Sequence, residues 1–262
     1  MLKIDVLASG SKGNSTLITT GEGKKLLIDC GISARALTSA LRKKNTSLSE
    51  IKAILITHEH ADHVHSVAQI SEAYNVPVFA NSVTMSVLKR KTGLKGGYFF
   101  EETSPFNIMG LEIRPFRTSH DAVYPVGYSL LDGESKFTYA TDLGYFSPSV
   151  KENVKDSDVV LIESNHDVDM LLRGPYPKYL KERILSNRGH LSNHNCAEAI
   201  RDILNLGTKK FILGHLSEQN NTYALARETT LNLLEKSGAT LEKDYNFFIA
   251  TQQGLDETIL TK

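Results

Sequence analysis

Short apolar runs alternate with longer amphipathic segments along this chain of 262 residues. The short runs are rich in β-branched and aromatic residues, which is typical of strands. They predict strands near residues 3–7, 15–20, 24–29, 53–57, 76–80, 111–116, 126–131, 136–141, 158–162, 210–214 and 246–250. Apolar positions three or four residues apart predict helices over 33–44, 64–74, 82–91, 178–186, 194–206 and 222–236. We expect the last two helices to begin after residues that can cap a helix, Ser192 or Asn193 in one case and Asn221 in the other.

The order of these elements predicts a layered fold of the α+β class. Strands are denser in the first half, and Gly21-Glu22-Gly23 and Asp132-Gly133 mark two turns between antiparallel strands. Two mixed sheets packed face to face, with helices on their outer faces, would bury one side of each sheet against the other. No linker, repeat or charge block divides the chain, so residues 1–262 are predicted to form one domain.

The composition limits the classes of function. The chain is 40% apolar and 23% charged with a formal net charge of zero, so an anionic substrate would require a local basic patch. The first residues lack the pattern of a signal peptide, and no segment is apolar enough to cross a membrane. The two cysteines, Cys30 and Cys196, are far apart in sequence. We therefore expect a cytoplasmic protein without disulfides or membrane contact; a homo-oligomer is compatible with the sequence.

The metal-ligand pattern His-x-His-x-Asp-His, with three His and one Asp, occupies residues 58–63 directly after the predicted strand 53–57. Alternate side chains share a face in an extended segment, so His58 and His60 can bind one ion. A turn through Ala61 would then direct Asp62 and His63 to a second ion. The competing interpretation is a solvated polar loop. Residues that can bind metal also follow three other predicted strands, which argues against it.

Three further predicted strands end in a residue that can bind metal: His120, Asp142 and His215. Layered α/β folds place their sites at the carboxyl ends of strands. We assign His120 to the first ion, His215 to the second, and Asp142 as a carboxylate that bridges the two. Because the ligands are nitrogen and oxygen only, zinc, manganese and iron all fit. A water between two such ions can ionise near neutral pH and act as the nucleophile of a hydrolysis.

These motifs resemble, in order and spacing, those of the metallo-β-lactamase superfamily, with Asp29 as the first of five. The resemblance implies a four-layer αββα sandwich, and it implies that Asp29 is a structural acid that holds the loop of metal ligands. We also assign Asp62 as a catalytic residue as well as a metal ligand. A few residues past the hexapeptide, where members usually carry glycine, this chain has His65 and Ser66.

A closer resemblance is to the YycJ/WalJ/VicX group of bacterial proteins. It rests on residues 7–15 (LASGSKGNS), 163–167 (ESNHD) and 189–193 (GHLSN). The resemblance implies a cytoplasmic hydrolase that acts on DNA as a 5′-to-3′ exonuclease, associated in Gram-positive bacteria with the operon of a two-component system.

Two histidines outside the ligand set are candidates for roles in the reaction. His190 precedes a predicted helix start, where anions bind well, and superfamily phosphodiesterases resemble this arrangement. It could contact phosphate or protonate the leaving oxygen, so we assign it as catalytic. His166 follows a buried strand and could face the metals or orient a ligand.

The remaining candidates would bind the substrate. Residues 173–188 carry five basic side chains against the single acid Glu182, and phosphate contacts of Lys and Arg supply most sequence-independent binding to nucleic acid. A glycine-rich loop at residues 10–15 is a second candidate for holding an anion. The predicted substrate-binding residues, beyond His166, are Ser11, Asn14, Lys178, Lys181, Arg188 and Asn193.

Other functions stay open within this fold. A two-zinc β-lactamase would usually offer Cys at the position of Asp142, and di-iron chemistry favours Glu at the position of His60. A thioester hydrolase or a small cyclic phosphodiester hydrolase shares the metal set and is the enzymatic alternative. A metal-binding regulatory partner of a two-component system is the non-enzymatic alternative, although such a protein would have no need to keep every ligand.

Overall fold

Fourteen strands and nine α-helices form the protein in a computed structural model that describes residues 1–262. The strands are β1 (Lys3–Ala8), β2 (Ser15–Thr19), β3 (Lys25–Ile28), β4 (Ile51–Leu55), β5 (Val78–Asn81), β6 (Tyr98–Phe100), β7 (Phe106–Ile108), β8 (Leu111–Arg117), β9 (Val126–Asp132), β10 (Ser135–Ala140), β11 (Val159–Glu163), β12 (Lys210–Gly214), β13 (Asn246–Ile249) and β14 (Ile259–Leu260). The helices are α1 (Ala34–Lys43), α2 (Ala61–Val64), α3 (Val67–Tyr74), α4 (Ser82–Thr92), α5 (Pro148–Val154), α6 (Val168–Arg173), α7 (Lys178–Leu185), α8 (Asn193–Leu204) and α9 (Tyr223–Lys236).

The strands form two mixed sheets of seven, in the orders β14-β1-β2-β3-β4-β5-β6 and β13-β12-β11-β10-β9-β8-β7. In the first sheet β3 to β6 run parallel. In the second sheet β10 to β13 run parallel, and β8 has the same direction because β9 is antiparallel to both β8 and β10. The carboxyl ends of β8, β10, β11 and β12 therefore lie at the same end of the second sheet.

Three apolar clusters hold four layers together. In the first sheet, Leu26 and Ile28 of β3 belong to the central cluster, together with Tyr128 of the second sheet. Leu27 lies between them in sequence and packs instead with Leu37 of α1 in an outer cluster. This alternation follows from the two-residue period of a strand. Each fully buried side chain of this kind contributes about 1.5–3 kcal/mol relative to exposure.

The second sheet has the same arrangement. Leu161 of β11 lies in the central cluster, whereas Val160 and Ile162 pack with Ile200 of α8 in the third cluster. The order of layers is thus helix, sheet, sheet, helix, and the predicted four-layer αββα sandwich is confirmed.

The predicted helix over 64–74 is interrupted in the structure. Its residues divide between α2 and α3, with His65 and Ser66 between the two helices. The backbone N–H of Ser66 donates to the carbonyl of Cys30, and its hydroxyl donates to the carbonyl of Ile32. These tertiary hydrogen bonds hold the chain away from the continuous helix that its periodicity predicts.

The sequence pattern did not predict five short elements, which are β6, β7, β14, α5 and α6. Elements of two to seven residues are too brief to show a period. One predicted cap is wrong: α9 is capped by the Thr222 hydroxyl, which accepts from the N–H of Leu225, and not by Asn221. Ser192 caps α8 as expected.

Both cysteines are free and buried. None of the helices combines the length and the apolar character that a bilayer-spanning helix requires.

Candidate metal centre

The predicted ligands meet at one end of the sandwich, where the strands that carry them end. Three residues within two positions of a strand end have left-handed backbones, with φ of 63° at Asp29, 58° at Asp142 and 56° at His215. Asp and His adopt this conformation more readily than most residues, at a cost of about 1–3 kcal/mol. The left-handed turn takes the chain out of the sheet at once and so sets each side chain at the strand end.

The first group of ligands consists of His58, His60 and His120, whose nearest ring nitrogens lie within 4.8 Å of one another. His60 Nδ1 and His120 Nε2 are 3.2 Å apart. His58 and His120 are buried, whereas His60 is partly exposed. The group is therefore reached from solvent on the side of His60.

The second group consists of Asp62, His63 and His215. Oδ2 of Asp62 lies 3.4 Å from His63 Nε2 and 3.5 Å from His215 Nε2. Both histidines are buried, and Asp62 is about one quarter exposed.

Asp142 lies between the two groups. Its Oδ2 is 3.4 Å from His63 Nε2, and its Oδ1 is 3.5 Å from His120 Nε2. One carboxylate thus faces a ligand of each group, the position that a bridging ligand requires.

In three of the buried ligand histidines, the Nδ1 atom has a partner that sets the direction of the ring. The Nδ1 atoms of His63 and His215 each lie 2.7 Å from a carboxylate, of Asp29 and Glu163 respectively. His120 Nδ1 lies 3.0 Å from the carbonyl of Gly189. Each of these contacts makes Nδ1 the donor and leaves Nε2 free for a metal, as is usual for histidine ligands.

Buried polar atoms without hydrogen-bond partners occur among these residues, as expected of a site that holds metal. His58 Nε2 and Asp142 Oδ2 are buried and have no hydrogen-bond partner. Burial lowers the pKa of His58 well below its ordinary value, so its ring is held neutral. Burial would raise the pKa of Asp142, but His215, His63 and His58 outweigh it and hold that carboxyl well below its ordinary range. Neutral imidazole and ionised carboxylate are the forms that bind divalent metal.

Asp29 stabilises the segment of residues 58–63 through hydrogen bonds. Its carboxylate accepts from the N–H of Thr57 at 2.9 Å, from the Thr57 hydroxyl at 2.9 Å and from His63 Nδ1. Close packing adds to this support, since a Cβ on Gly31 would lie 1.7 Å from the carbonyl oxygen of Asp62. Asn14 donates its backbone N–H to that same carbonyl at 2.8 Å.

Glu163, at the end of β11, connects the second group to His190. Its Oε1 lies 2.7 Å from both His190 Nδ1 and His215 Nδ1, and its Oε2 accepts from the N–H groups of Leu143 and Leu191. Burial would raise its pKa, but the two histidines lower it to about 2. Glu163 is therefore an ionised acceptor that makes Nδ1 the donor in both rings.

A cavity of about 230 Å³ opens over the two groups. Besides five of the expected ligands and His190, its wall comes mainly from the 10–15 loop, the end of β11 and α7. The added residues are Ser11, Asn165, Tyr176, Leu180, Arg183, Ile184 and Ser217.

Only some of the predicted substrate-binding residues line this cavity. Ser11 lines the cavity. Asn14 and Asn193 are buried and bonded within the protein, Asn14 to the Gly10 carbonyl and Asn193 to Asn221. Their burial contradicts the predicted contact with substrate. His166 also lies away from this cavity, in the wall of a second one.

The predicted lysines and Arg188 do not line the cavity either. Lys178 pairs with Glu182 at 3.6 Å, and Lys181 Nζ donates to the carbonyl of Leu172. These three side chains lie outside the cavity, so any contact with substrate would be made along its rim. Contact with a longer strand outside the cavity stays a prediction.

Sequence reasoning missed two groups, Glu163 and the pair Arg183–Asp121. An ionisable residue at the end of the apolar run 159–163 was the available signal for Glu163, since three neighbouring strands end in the same way. Arg183 donates two hydrogen bonds to Asp121, one of them 2.9 Å long, across 62 positions of sequence. No local pattern indicates such a pair.

Comparison with known proteins agrees with this geometry. A family model described as "Beta-lactamase superfamily domain" matches residues 24–216. "Exodeoxyribonuclease WalJ" of Streptococcus pneumoniae serotype 2 (strain D39 / NCTC 7466) is 39% identical over 251 residues, which cover 94% of this chain and 93% of that protein. "Exodeoxyribonuclease YycJ" of Bacillus anthracis is 36% identical over 240 residues, 90% of each chain. The solved metallo-β-lactamase-fold protein YhfI of Bacillus subtilis has a TM-score of 0.72 over 96% of this chain and 97% of its own, at 16% identity, which supports the fold alone.

The fold and the ligand cluster define a metal-dependent hydrolase. The chain belongs to the metallo-β-lactamase superfamily and, within it, to the YycJ/WalJ group.

Proposed function

We propose that this protein is a 5′-to-3′ exonuclease that hydrolyses DNA with the help of two divalent metal ions. The observation that carries the proposal is the arrangement of two ligand groups joined by Asp142, with His190 beside them in the same cavity. The WalJ and YycJ relatives are named exodeoxyribonucleases, which supports DNA as the substrate.

One ion would be held by His58, His60 and His120, and the other by Asp62, His63 and His215, with Asp142 shared between them. Zinc, manganese and iron suit a set of nitrogen and oxygen ligands. When bound, two such ions lower the pKa of a water and offset the charge that develops on a phosphate. Asp62 would act on the reaction only through the ion that it holds.

His190 would protonate the leaving O3′ atom. Its Nδ1 is occupied by Glu163, so Nε2 is the nitrogen left to carry a proton towards substrate. The ionised Glu163 stabilises the protonated ring, as a carboxylate does for the histidine of a catalytic triad. Proton donation of this kind contributes about 10²–10⁴-fold to a rate.

Arg183 would position the phosphate. Arg183 lines the cavity, and its guanidinium donates two hydrogen bonds to Asp121. Arg binds phosphate oxygens with two parallel hydrogen bonds, which fixes the orientation of the group. The basic residues Lys178, Lys181 and Arg188 would supply the local patch along which the rest of the strand lies.

The test combines elemental analysis of the purified protein with an assay in added manganese. The substrates are 5′-labelled single-stranded DNA, double-stranded DNA and RNA. Two metal equivalents and stepwise release of 5′ nucleotides from DNA are expected. His60→Ala and Asp142→Asn should lose metal and activity together while keeping the wild-type circular dichroism.

Full activity in either variant would contradict the ligand assignment. Two metal equivalents without cleavage of any nucleic acid would contradict the nuclease and leave the thioester or cyclic phosphodiester hydrolase. An exposed histidine, His194, provides a matched control, and His194→Ala should keep the wild-type metal content.

A further inference from the structure

Tyr179 is the most exposed of the large hydrophobic side chains, with 72% of its surface open to solvent. It lies in α7, next to Leu180, which lines the active-site cavity. Single exposed rings are common on protein surfaces, so the position of this ring on α7 is the informative feature.

The helix α7 places Tyr179 at the rim of the cavity. Leu180, Arg183 and Ile184 form part of the cavity wall, so the helix lies along it. Residues four apart are neighbours on one face of a helix, and Tyr179 therefore lies beside Arg183, one turn or about 5.4 Å away along the axis. Arg183 is the residue proposed above to hold the phosphate. A base that stacks on Tyr179 would belong to a nucleotide next to that phosphate, because successive bases of a strand are about 3.4 Å apart.

A second tyrosine in the same segment faces the cavity. Tyr176, two residues before α7, lines the wall and is partly exposed. The aromatic pairs of the protein are formed by other rings, and its cation–π contact joins Arg117 to Tyr124. Neither Tyr176 nor Tyr179 therefore has an aromatic or cationic partner on its ring. Two rings at one wall of the site are available to a planar ligand.

Basic residues alternate with the exposed ring in α7. Lys178 and Lys181 flank Tyr179 in sequence, and Arg183 follows one turn later. The single acid of the helix, Glu182, pairs with Lys178. Proteins that bind single-stranded nucleic acid combine cationic side chains, which follow the backbone, with aromatic rings that stack on the bases. The helix α7 offers both kinds of side chain beside the metal centre.

We propose that α7 is a base-stacking site for a DNA strand, in which Tyr179 stacks on the base of a nucleotide that flanks the scissile phosphate. This proposal rests on the exonuclease function proposed above, and it concerns how the strand is held rather than how the bond is broken. Every base has a π-face, so stacking of this kind accepts any sequence.

The experiment removes the base from the strand and the ring from the protein, separately and together. The substrates are single-stranded DNA of one sequence, labelled at the 5′ end, with an abasic nucleotide at the first position, at the second position or at neither. In the wild type, one of the two abasic nucleotides should lower kcat/KM for release of the first nucleotide by about 5- to 150-fold, the range for one base–aromatic stack.

Tyr179→Ala should cleave the ordinary strand more slowly by a similar factor. The same abasic nucleotide should then lower its kcat/KM by less than about threefold, because the ring and the base act as one pair. Tyr179→Phe keeps the stacking face and should keep the wild-type kcat/KM on all three strands. Since the side chain is exposed, both variants should unfold at the wild-type temperature.

Tyr223 provides the matched control. It is also an exposed helical tyrosine, 54% open to solvent at the start of α9, and it does not line the active-site cavity. Tyr223→Ala should keep both the wild-type kcat/KM and the wild-type sensitivity to the abasic nucleotide. An abasic nucleotide far from the 5′ end is the control for the substrate and should leave release of the first nucleotide unchanged.

Equal rates of the wild type on all three strands would overturn the stacking site and leave the exonuclease standing. The same holds if Tyr179→Ala keeps the full sensitivity to the abasic nucleotide, or if Tyr179→Phe is as slow as Tyr179→Ala. Failure of the metal-loaded wild type to cleave any of the strands would overturn the exonuclease and the stacking site together.

Discussion

Oε1 of Glu163 lies 2.7 Å from Nδ1 of His190, and the same oxygen lies 2.7 Å from His215 Nδ1. One carboxylate therefore orients both the proposed acid and a proposed metal ligand. Replacement of His190 or of Glu163 should separate the effect on proton transfer from the effect on metal binding. These two replacements are the first two predictions.

His190→Ala should keep both metals and lower the rate on ordinary DNA by about 10²–10⁴-fold, because a poor leaving group needs a proton. A nitrophenyl phosphodiester has a good leaving group and should lose much less. The measurement is kcat on both substrates, with metal content by elemental analysis. An equal loss on the two substrates would remove His190 from the role of acid.

Glu163→Gln should lower kcat more than it raises KM. The amide can still accept from the N–H of Leu143 or Leu191, but its NH₂ group would face two Nδ1 donors. The ring of His190 then loses the charge that stabilises its protonated form. We expect a loss of about 10-fold or more in kcat and a changed pH profile, measured by steady-state kinetics. A variant with the wild-type pH profile would show that Glu163 has only a structural role.

Asp29→Asn should weaken metal binding by about 10- to 100-fold, because such partners fix the tautomer of a ligand. The amide cannot accept from both Thr57 and His63 as the carboxylate does. Titration with zinc or manganese measures the affinity. Asp5→Asn is the control: Asp5 is also a buried acid, but it pairs with Lys44, so its loss should lower thermal stability without changing metal affinity.

Arg183→Ala should lower kcat/KM on DNA by about 10- to 100-fold, the range expected for a charged hydrogen bond to phosphate. Lys178→Ala should change it by less than about threefold, since its side chain is 89% exposed and lies outside the cavity. Steady-state kinetics at fixed salt compares the two variants. Equal losses of kcat/KM in the two variants would mean that the basic residues of 173–188 act only through their total charge. Both losses should then become smaller in high salt.

Both thiols should be unreactive in the native protein. Burial raises the pKa of Cys196 to about 12 and raises the pKa of Cys30 as well, so both stay protonated at pH 8, and the thiolate is the reactive form. A colorimetric disulfide reagent should therefore modify neither thiol in the native protein and both in denaturant. Rapid modification of the native protein would show that a thiol is exposed.

The layered fold was predictable because its clusters follow the two-residue period of each strand. Leu26, Leu27 and Ile28 alternate between two cores, and a strand that is apolar at every position is typical of burial on both faces. The ligand positions were predictable for a similar reason, since His58 to His63 follow one strand end and His120, Asp142 and His215 follow three others. The resemblance to the metallo-β-lactamase superfamily added the role of Asp29.

The break in the helix after Val64 was not predictable, because it depends on hydrogen bonds from Ser66 to residues more than thirty positions earlier. The same applies to Asn14 and Asn193. Each follows a loop pattern typical of ligand binding, but the packing of other segments buries it.

The sequence by itself determined which chemical groups are present and which of them lie at strand ends, since both depend on residue identity and local period. Only the tertiary structure decided that Arg183 faces the cavity while Lys178 and Arg188 do not, and that His166 lies in a second cavity beside His190. The physical reason is that these placements depend on how α7 and α8 pack against distant loops, and a helix period shows only which residues share a face.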